Sequence, residues 1–338
     1  MKQPSLIKLP VSLVENTWYG TNLLTLCFIP ASFIFWLISV SRRIYYKLRR
    51  VKPLSDLAPI IIVGNITVGG TGKTSLTIWL ANFLKDNGFR PGIICSGYGG
   101  MSNDWPEVIE NDSKAISVGD ESILLYRNTG CPVVAGPERI ISAKKLLDNH
   151  SCNVILSDDG LQHYALPRNI EIAVRDGRRG EGNGLMLPAG PLREPKSRLK
   201  TVDYIVASGR SDCEEILMTY QVLGFFNLKN RSKQFSLENY DGRPVYGVAA
   251  LGNNAAFFNL LREQGLVVIE KSFHDHHHFC RSDFPNTSVS PVFMSEKDAM
   301  KCEDFVEDNW WYVKVTPMLS ERFGYDVIKK IEKKEKNG

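Results

Sequence analysis

The sequence lacks several patterns that mark specialised classes of protein. Its seven cysteines stand singly, without a C-x-x-C pair, so neither a disulfide framework nor a cysteine-based zinc site is indicated. It contains no internal repeat and no low-complexity segment. The formal net charge of only +4 gives no indication of a nucleic-acid partner. These absences leave a globular chain of 338 residues, long enough for about two domains, with reduced thiols in the cytosol.

Charge is absent from one stretch near the N-terminus. Residues 23–40 form an uncharged run close to the shortest helix that spans a hydrocarbon core of about 30 Å. Because Pro30 interrupts the run, three interpretations stay open: a spanning helix, a helix lying in the interface, and a core helix packed on the rest of the protein. We favour membrane association, with the following chain on the cytoplasmic side, because aromatic residues flank the run and only basic charges follow it. These charges are Arg42, Arg43, Lys47, Arg49, Arg50 and Lys52.

The strongest motif is a glycine-rich turn between an apolar strand and a helical stretch. Residues 60–63 lead into Gly64-Asn65-Ile66-Thr67-Val68-Gly69-Gly70-Thr71-Gly72-Lys73-Thr74. This context is typical of a P-loop, whose backbone N–H groups and helix N-terminus bind phosphate. We expect Lys73 to reach the β- and γ-phosphates and the Thr74 hydroxyl to bind Mg²⁺. The residues expected to bind ATP are Gly69, Gly70, Thr71, Gly72, Lys73, Thr74 and Ser75.

The P-loop departs from the pattern G-x-x-x-x-G-K-[ST] at one position. Thr67 stands where the pattern has glycine. We expect Gly69 and Gly70 to supply the missing backbone freedom.

Acidic residues follow at two later positions. Asp120 and Glu121 begin a helical stretch, where they serve either as cap and dipole partners or as a base beside a metal ligand. Residues 153–157 form an apolar strand that ends at Asp158 and Asp159, as in a Walker B motif. The carboxylate of such a motif positions Mg²⁺, so we expect at least one of these two residues to be functional.

Two loop segments carry further candidates. Residues 175–195 are rich in glycine, proline and arginine, including Arg193, which suits anion recognition, although charged loop residues are commonly just solvated. Residues 273–279 hold four of the six histidines. Zinc is disfavoured because no cysteine or glutamate lies at the required spacing, which leaves a catalytic element or a solvated loop.

The alternation of strands and helices predicts an α/β fold. We expect a P-loop NTPase-like, mostly parallel sheet with helices on both faces, a smaller α/β second domain and an N-terminal membrane-associated helix. The predicted domains are an arm (1–50), a nucleotide-binding core (51–225), a second domain with the histidines (226–316) and a C-terminal helix (317–338). Asp241-Gly242 predicts a β-hairpin within residues 234–246.

Taken together, these motifs resemble the tetraacyldisaccharide 4'-kinase family of lipid A synthesis. The resemblance extends in order over residues 18–316, and the family has threonine at the position of Thr67. Besides the P-loop it rests on residues 118–121, 158–163, 187–195, 273–277 and 295–299.

The resemblance implies a kinase that uses ATP and Mg²⁺. It would transfer the γ-phosphoryl group to the 4'-hydroxyl of a tetraacylated glucosamine disaccharide 1-phosphate, giving lipid IV A. It would work at the cytoplasmic face of the bacterial inner membrane, on an acylated disaccharide lipid among membrane lipids. No nucleic acid and no obligate protein partner is implied.

The resemblance also implies roles for single residues. Asp120 would activate the acceptor hydroxyl as a base, together with a histidine that we place at His276, with His277 as the alternative. Arg193 would lie near the transferring phosphate or the substrate, and Lys73 near the phosphates of ATP. The residues expected near Mg²⁺ are Thr74, Glu121, Asp158 and Asp159.

The sequence departs from the family pattern at two segments. An arginine that usually precedes Gly97 is replaced by Ser96, which puts one contact with substrate or phosphate in doubt. A proline is missing from residues 247–252, where we expect only a reshaped loop.

Two other classes of function stay open. A membrane-associated P-loop ATPase that switches partner binding would need a second lysine early in the P-loop, and Val68, Gly69 and Gly70 do not provide one. A small-molecule synthetase on the same scaffold would leave the N-terminal arm unexplained.

Overall fold

The computed structural model describes residues 17–20, 23–49, 58–212, 214–284 and 290–335. After one long helix, the first half of the chain alternates strands and helices. Its elements are α1 (Leu23–Leu48), β1 (Ile60–Gly64), α2 (Lys73–Asp86), β2 (Pro91–Cys95), β3 (Glu107–Val108), α3 (Ala115–Val118), α4 (Asp120–Thr129), β4 (Val133–Ala135), α5 (Arg139–Asn149), β5 (Val154–Ser157) and β6 (Ile170–Asp176).

The second half is richer in strands and ends in a helix. Its elements are β7 (Tyr204–Ser208), β8 (Ile216–Asn227), β9 (Val245–Ala249), α6 (Asn254–Glu263), β10 (Val268–Ser272), β11 (Val292–Ser295), α7 (Glu296–Met300), β12 (Trp310–Met318) and α8 (Glu321–Glu335).

These strands form one sheet in the order β10-β9-β11-β12-β8-β7-β6-β1-β5-β2-β4-β3. From β7 to β4 all neighbours are parallel, as helical crossover connections require. β1 lies between β5 and β6, so the loops after these strands emerge at the same edge of the sheet. In open parallel sheets this edge is where ligands bind.

Apolar helices cover both faces of this parallel region. On one face Leu76 and Leu80 of α2 join Val327 and Ile331 of α8 in a cluster of buried side chains. On the other face α5 packs against β1 and β5. Because both faces are covered, all residues of β1, β2 and β5 are buried, which explains their continuous apolar sequences. The predicted fold class is confirmed.

The long strand β8 connects the two halves of the sheet. Its first residues pair in parallel with β7, and residues 219–227 pair antiparallel with β12. A register shift between Lys314 and Val315 interrupts this ribbon, and bulges of this kind bend a strand. The predicted domain boundary at 225/226 falls within β8, so both halves share the strand, and the division into domains stays a prediction.

The predicted hairpin at Asp241-Gly242 is wrong. Within residues 234–246, which the structure describes throughout, a short 3₁₀ turn precedes Asp241, and β9 then pairs in parallel with β10 and β11. The Asp241 side chain accepts a hydrogen bond from the N–H of Arg243, and Gly242 has φ +78°. The dipeptide therefore makes a tight local turn that leads into a parallel strand instead of a hairpin partner.

Helix α1 packs on the core with one side and exposes the other. Trp18 precedes it and donates to the Pro188 carbonyl at 3.1 Å, and Ser32 donates to the Met186 carbonyl at 2.7 Å. Among the described residues α1 is the one helix long and apolar enough, by length and composition, to cross a membrane. Residues 1–16, 21–22 and 50–57 of the predicted arm and its flank lie outside the described residues. The exposed apolar side chains include Leu26, Phe33, Ile34 and Ile38.

Candidate active site

The P-loop joins β1 to α2 at the ligand-binding edge of the sheet. Gly69 and Gly72 have φ of +99° and +94°, conformations that favour glycine. A Cβ on Gly72 would lie 2.6 Å from the Tyr220 hydroxyl, so a larger residue there would have to displace this side chain. Gly72 caps α2, whose first N–H groups have no partner within the helix and are available for phosphate oxygens.

Thr67 does not need the backbone freedom of glycine. It forms an isolated antiparallel bridge with Leu192, and the Arg193 N–H donates to the Ile66 carbonyl at 2.7 Å. The chain at Thr67 is therefore held by pairing, whereas the left-handed conformations fall on Gly69 and Gly72. The same pairing places Arg193 beside the P-loop.

Asp158 follows β5 and is almost completely buried. Its Oδ2 accepts a hydrogen bond from the Thr74 hydroxyl, and its Oδ1 accepts one from the Thr77 hydroxyl, both at 3.0 Å. Burial and the nearby charge of Glu121 raise the pKa of Asp158 to about 6. The buried carboxylate of Asp158 and the nearby, partly exposed carboxylate of Glu121 therefore favour the binding of a cation.

Asp159 contacts other residues than Asp158 does. Its φ of +49° is left-handed, a conformation that aspartate tolerates better than most residues. Its carboxylate lies 3.0 Å from an Arg193 nitrogen and 3.8 Å from Lys73 Nζ. Although burial by itself raises the pKa of Asp159, Lys73 and Arg193 lower it to about 2. Asp159 thus connects the P-loop lysine to the arginine of residues 175–195.

The oxygen atoms around Thr74 suit Mg²⁺. This ion prefers one or two carboxylates together with phosphate and water oxygens over an all-protein cage. No group of three or more His, Cys, Asp or Glu side chains is arranged to hold a metal within the described part of the chain. The Thr74–Asp158 contact matches the pairing of P-loop hydroxyl and Walker B carboxylate that holds Mg²⁺ in P-loop enzymes.

Asp120 lies at the first position of α4, with only 5% of its side chain exposed. His276 Nδ1, from the loop after β10, is 3.4 Å from its Oδ2. No well-aligned hydrogen-bond donor reaches this oxygen from any described residue, and the oxygen itself is buried. Between the two histidines that the sequence left open, His276 faces Asp120, whereas His277 Nε2 lies 2.9 Å from Asp283.

Two lysines from the second half also approach Asp120. Lys297 Nζ and Lys301 Nζ lie 3.8 Å and 3.4 Å from Oδ2 of Asp120. Burial alone raises the pKa of Asp120, but His276 and the two lysines hold it well below its ordinary value. Burial lowers the pKa of Lys297, but Glu121 at 3.1 Å and the other nearby carboxylates raise it above its ordinary value. At neutral pH the Asp120 carboxylate is therefore ionised and the Lys297 ammonium is charged.

The loop after β9, in the segment that lacks the family's proline, lies directly on the P-loop. A Cβ on Gly252 would be 2.0 Å from the Gly70 nitrogen. Arg179 donates to the carbonyls of Gly70 and Gly252 at 2.8 and 2.7 Å, and its Nε donates to Asp176. One guanidinium therefore connects the P-loop to the second half of the protein.

A cleft of about 1240 Å³ separates the two halves. All seven residues predicted to bind ATP line it, as do Glu121, Asp159, Arg193 and His276. Asp120 and Asp158 are buried behind its wall. The volume exceeds that of a typical single-ligand pocket and leaves room for a nucleotide beside a second substrate.

Sequence reasoning missed several charged residues of the site: Arg139, Arg179, Lys297 and Lys301. Arg139 is almost completely buried and donates to the carbonyls of Gly136 and Asp158. A signal for Lys297 was available, since residues 295–299 contributed to the family resemblance. A lysine between two acidic residues at a helix start is, however, the ordinary pattern of a solvated first turn.

Comparison with known proteins gives concordant matches along nearly the whole chain. The sequence model of the family "LpxK: Tetraacyldisaccharide-1-P 4'-kinase" matches residues 24–332. The tetraacyldisaccharide 4'-kinase of Nitrosococcus oceani is 42% identical over 329 residues, covering 96% of each protein. That of Methylobacillus flagellatus is 42% identical over 320 residues, covering 94% of this chain and 95% of the relative.

A solved structure matches as well. The crystal structure of the "apo" form of LpxK from Aquifex aeolicus, in complex with ATP, superposes with a TM-score of 0.74. The sequences are 25% identical, and the match covers 91% of this chain and all of the other.

Proposed function

The chain belongs to the tetraacyldisaccharide 4'-kinase family, and from this premise we propose how its residues carry out the reaction. The enzyme transfers the γ-phosphoryl group of ATP to the 4'-hydroxyl of a tetraacylated glucosamine disaccharide 1-phosphate, giving lipid IV A. The observation that carries our proposal is that the P-loop and His276 line one cleft and that His276 contacts Asp120, which is buried behind the cleft wall. The P-loop, which we call the donor side of the cleft, would hold the phosphoryl donor. The Asp120–His276 pair, the acceptor side, would activate the acceptor hydroxyl.

The donor side would hold the triphosphate by backbone and charge. The N–H groups of the P-loop and of the first turn of α2 would bind its oxygens. Lys73 lies 3.8 Å from Asp159, a loose contact that leaves its ammonium free to turn toward the phosphates. Thr74 and Asp158, with Glu121 and Asp159 nearby, would hold Mg²⁺, which neutralises charge on the transferring phosphate.

The acceptor side would use Asp120 as the base. Its Oδ2 would take the proton of the 4'-hydroxyl as the bond to phosphorus forms, while His276 orients the carboxylate. The low pKa of Asp120 suits this timing, because a loose phosphoryl transition state needs little proton removal before the transfer is advanced. Arg193 at the rim would stabilise the negative charge on the phosphoryl oxygens.

The exposed apolar side of α1 would hold the enzyme at its lipid substrate. Contacts with the core extend from Ser32 to Arg43, which donates to Thr201 at 3.0 Å, a rise of roughly 16 Å along the helix. A helix attached over this length cannot cross the bilayer while the core stays in water. We therefore propose that α1 lies in the interface at the cytoplasmic face of the inner membrane, among membrane lipids.

One assay tests the reaction and the base together. The purified protein is incubated with γ-labelled ATP and a detergent-dispersed acyl disaccharide 1-phosphate, and label is measured in lipid and in free phosphate. We expect Asp120→Asn to lower kcat by roughly 10² to 10⁴-fold without weakening ATP binding, because it removes the proton acceptor and leaves the P-loop unchanged. Asp112→Asn, at an exposed position, is the matched control. Normal turnover of Asp120→Asn would refute the base assignment, and label only in free phosphate would favour a switch ATPase.

A further inference from the structure

The ammonium group of Lys297 occupies the centre of the contact between the two halves. Its Nζ lies 3.1 Å from Glu121, 3.8 Å from Asp120 and 3.6 Å from Asp275. It also lies 3.5 Å from Nε2 of His276. The side chain is only 14% exposed, so solvent screens these interactions little.

This position has a consequence for the hydrogen atom on His276. A lysine ammonium has three N–H donors and no acceptor. A hydrogen bond from this ammonium to Nε2 therefore requires Nε2 to be without a hydrogen. A neutral imidazole then carries its hydrogen on Nδ1, the nitrogen 3.4 Å from Asp120.

We propose that Lys297 is a positioning residue that sets the tautomer of His276, with Nε2 accepting from Lys297 and Nδ1–H directed at Asp120. This inference rests on the proposed role of Asp120 as the base. In the opposite tautomer an Nδ1 lone pair would face the carboxylate and oppose its charge. In a Ser-His-Asp triad, where the histidine itself is the base, the wrong tautomer lowers kcat by about 10⁴-fold, which sets an upper bound for the effect here.

A second contact of Lys297 supports the same arrangement. Oδ1 of Asp275 accepts a hydrogen bond from the backbone N–H of His276 at 3.0 Å, and His276 has a left-handed φ of +58°. The same oxygen lies 3.7 Å from Nε2 of His276. Without the lysine, the Asp275 carboxylate would remain 3.7 Å from Nε2 and would favour a hydrogen there. Lys297 therefore opposes the tautomer that Asp275 would otherwise select.

Lys301 offers a natural comparison. It approaches the same Oδ2 of Asp120 at 3.4 Å, but it is also paired with Asp298 at 3.0 Å. Among the contacts of the described residues, the ammonium that meets His276 is that of Lys297. Removing Lys301 therefore changes the charge near Asp120 without changing the donor at Nε2.

The test is the ¹⁵N NMR signature of His276 in the full chain, labelled at histidine and assigned with a His276→Gln variant. We expect the unmodified protein to have hydrogen on Nδ1 and none on Nε2. In Lys297→Met the hydrogen should move to Nε2, kcat should fall by roughly 10² to 10⁴-fold and ATP affinity should stay unchanged. Lys297→Arg, which keeps a donor, should restore the Nδ1–H form, and Lys301→Met should retain it.

The outcomes separate the two proposals. An Nε2–H form in the unmodified protein, or an Nδ1–H form that persists in Lys297→Met, would overturn the role of Lys297. The first of these measurements needs no variant, so a Lys297→Met chain that fails to fold leaves the test intact. Full activity of Asp120→Asn would instead overturn the role of the base, whatever the tautomer. Lys229→Met, in an exposed pair with Asp308, controls for the loss of a lysine.

Discussion

Replacing His163 with glutamine should make the free energy of unfolding less sensitive to acid. The backbone carbonyl of His163 accepts a hydrogen bond from Arg168, and its half-buried ring lines the cleft. Burial and the positive charge of Arg139 lower the pKa of His163 from 6.5 to about 4. The imidazole is therefore neutral at physiological pH.

The direction in which pH changes the free energy of unfolding follows from proton linkage. The unfolded chain binds a proton at His163 more strongly than the folded protein does, so acid favours unfolding. The stability present above pH 6.5 is lost as the pH falls toward 4. At 1.36 kcal/mol for each pH unit, the total is about 3 kcal/mol, of which about 2 kcal/mol is lost between pH 7.5 and pH 5. Because the side chain is only half-buried, solvent screening reduces the expected loss to about 1 to 2 kcal/mol.

Urea unfolding at the two pH values measures this contribution in the nucleotide-free protein. The unmodified chain should lose about 1 to 2 kcal/mol more than His163→Gln between pH 7.5 and pH 5. His278→Gln, at an exposed position, should behave like the unmodified chain. The reasoning fails if His163→Gln and the unmodified chain lose the same amount.

Three other perturbations test the P-loop, the contact between the halves and the membrane helix. Thr77→Val removes a donor to the buried Asp158 and should lower the free energy of unfolding by about 1 to 3 kcal/mol, measured in urea against the exposed Thr219→Val. Arg179→Lys loses the planar fork that joins Gly70 to Gly252 and should raise KM for ATP roughly tenfold with a smaller change in kcat, measured against Arg210→Lys. Phe33→Asp puts a charge on the exposed side of α1 and should reduce sedimentation with anionic phospholipid vesicles, measured against Ile141→Asp on α5.

For each of these three variants, one outcome would contradict the expectation. Unchanged stability of Thr77→Val would mean that the hydroxyl does not support Asp158. An unchanged KM for ATP in Arg179→Lys would mean that the contact with Gly252 does not shape the nucleotide site. Undiminished vesicle binding of Phe33→Asp would exclude the exposed side of α1 as the membrane surface.

The donor side could be predicted from the sequence because its signals are local. A strand, a glycine-rich turn and Gly-Lys-Thr occupy adjacent positions, and the seven residues predicted to bind ATP line the cleft. Thr67 looked like a defect because the pattern alone does not reveal that Leu192 pairs with it. Two residues 125 positions apart determine that local conformation.

The contact between the halves could not be predicted in the same way. Lys297 and Glu121 are 176 positions apart, and Arg179 and Gly252 are 73 apart. No periodicity or spacing links such residues, since the contacts arise only when β8 brings the second half against the core. The hairpin predicted at Asp241-Gly242 was wrong for a related reason. The dipeptide does make a turn, but β9, the strand that follows it, pairs with β10 and β11, which are distant in sequence.

Two residues have a strained backbone conformation that costs stability and fixes the position of a side chain in the site. Among the described residues that are not glycine, Asp159 and His276 are the ones with a left-handed φ. Such conformations cost about 1 kcal/mol or more and persist only where the surroundings hold them. Asp159 is held by Lys73 and Arg193, and His276 is held by the hydrogen bond from its N–H to Asp275. One strained residue therefore lies on the proposed donor side and the other on the proposed acceptor side. Substitution of either by glycine would relieve the strain, but it would also free the side-chain geometry on which phosphoryl transfer depends.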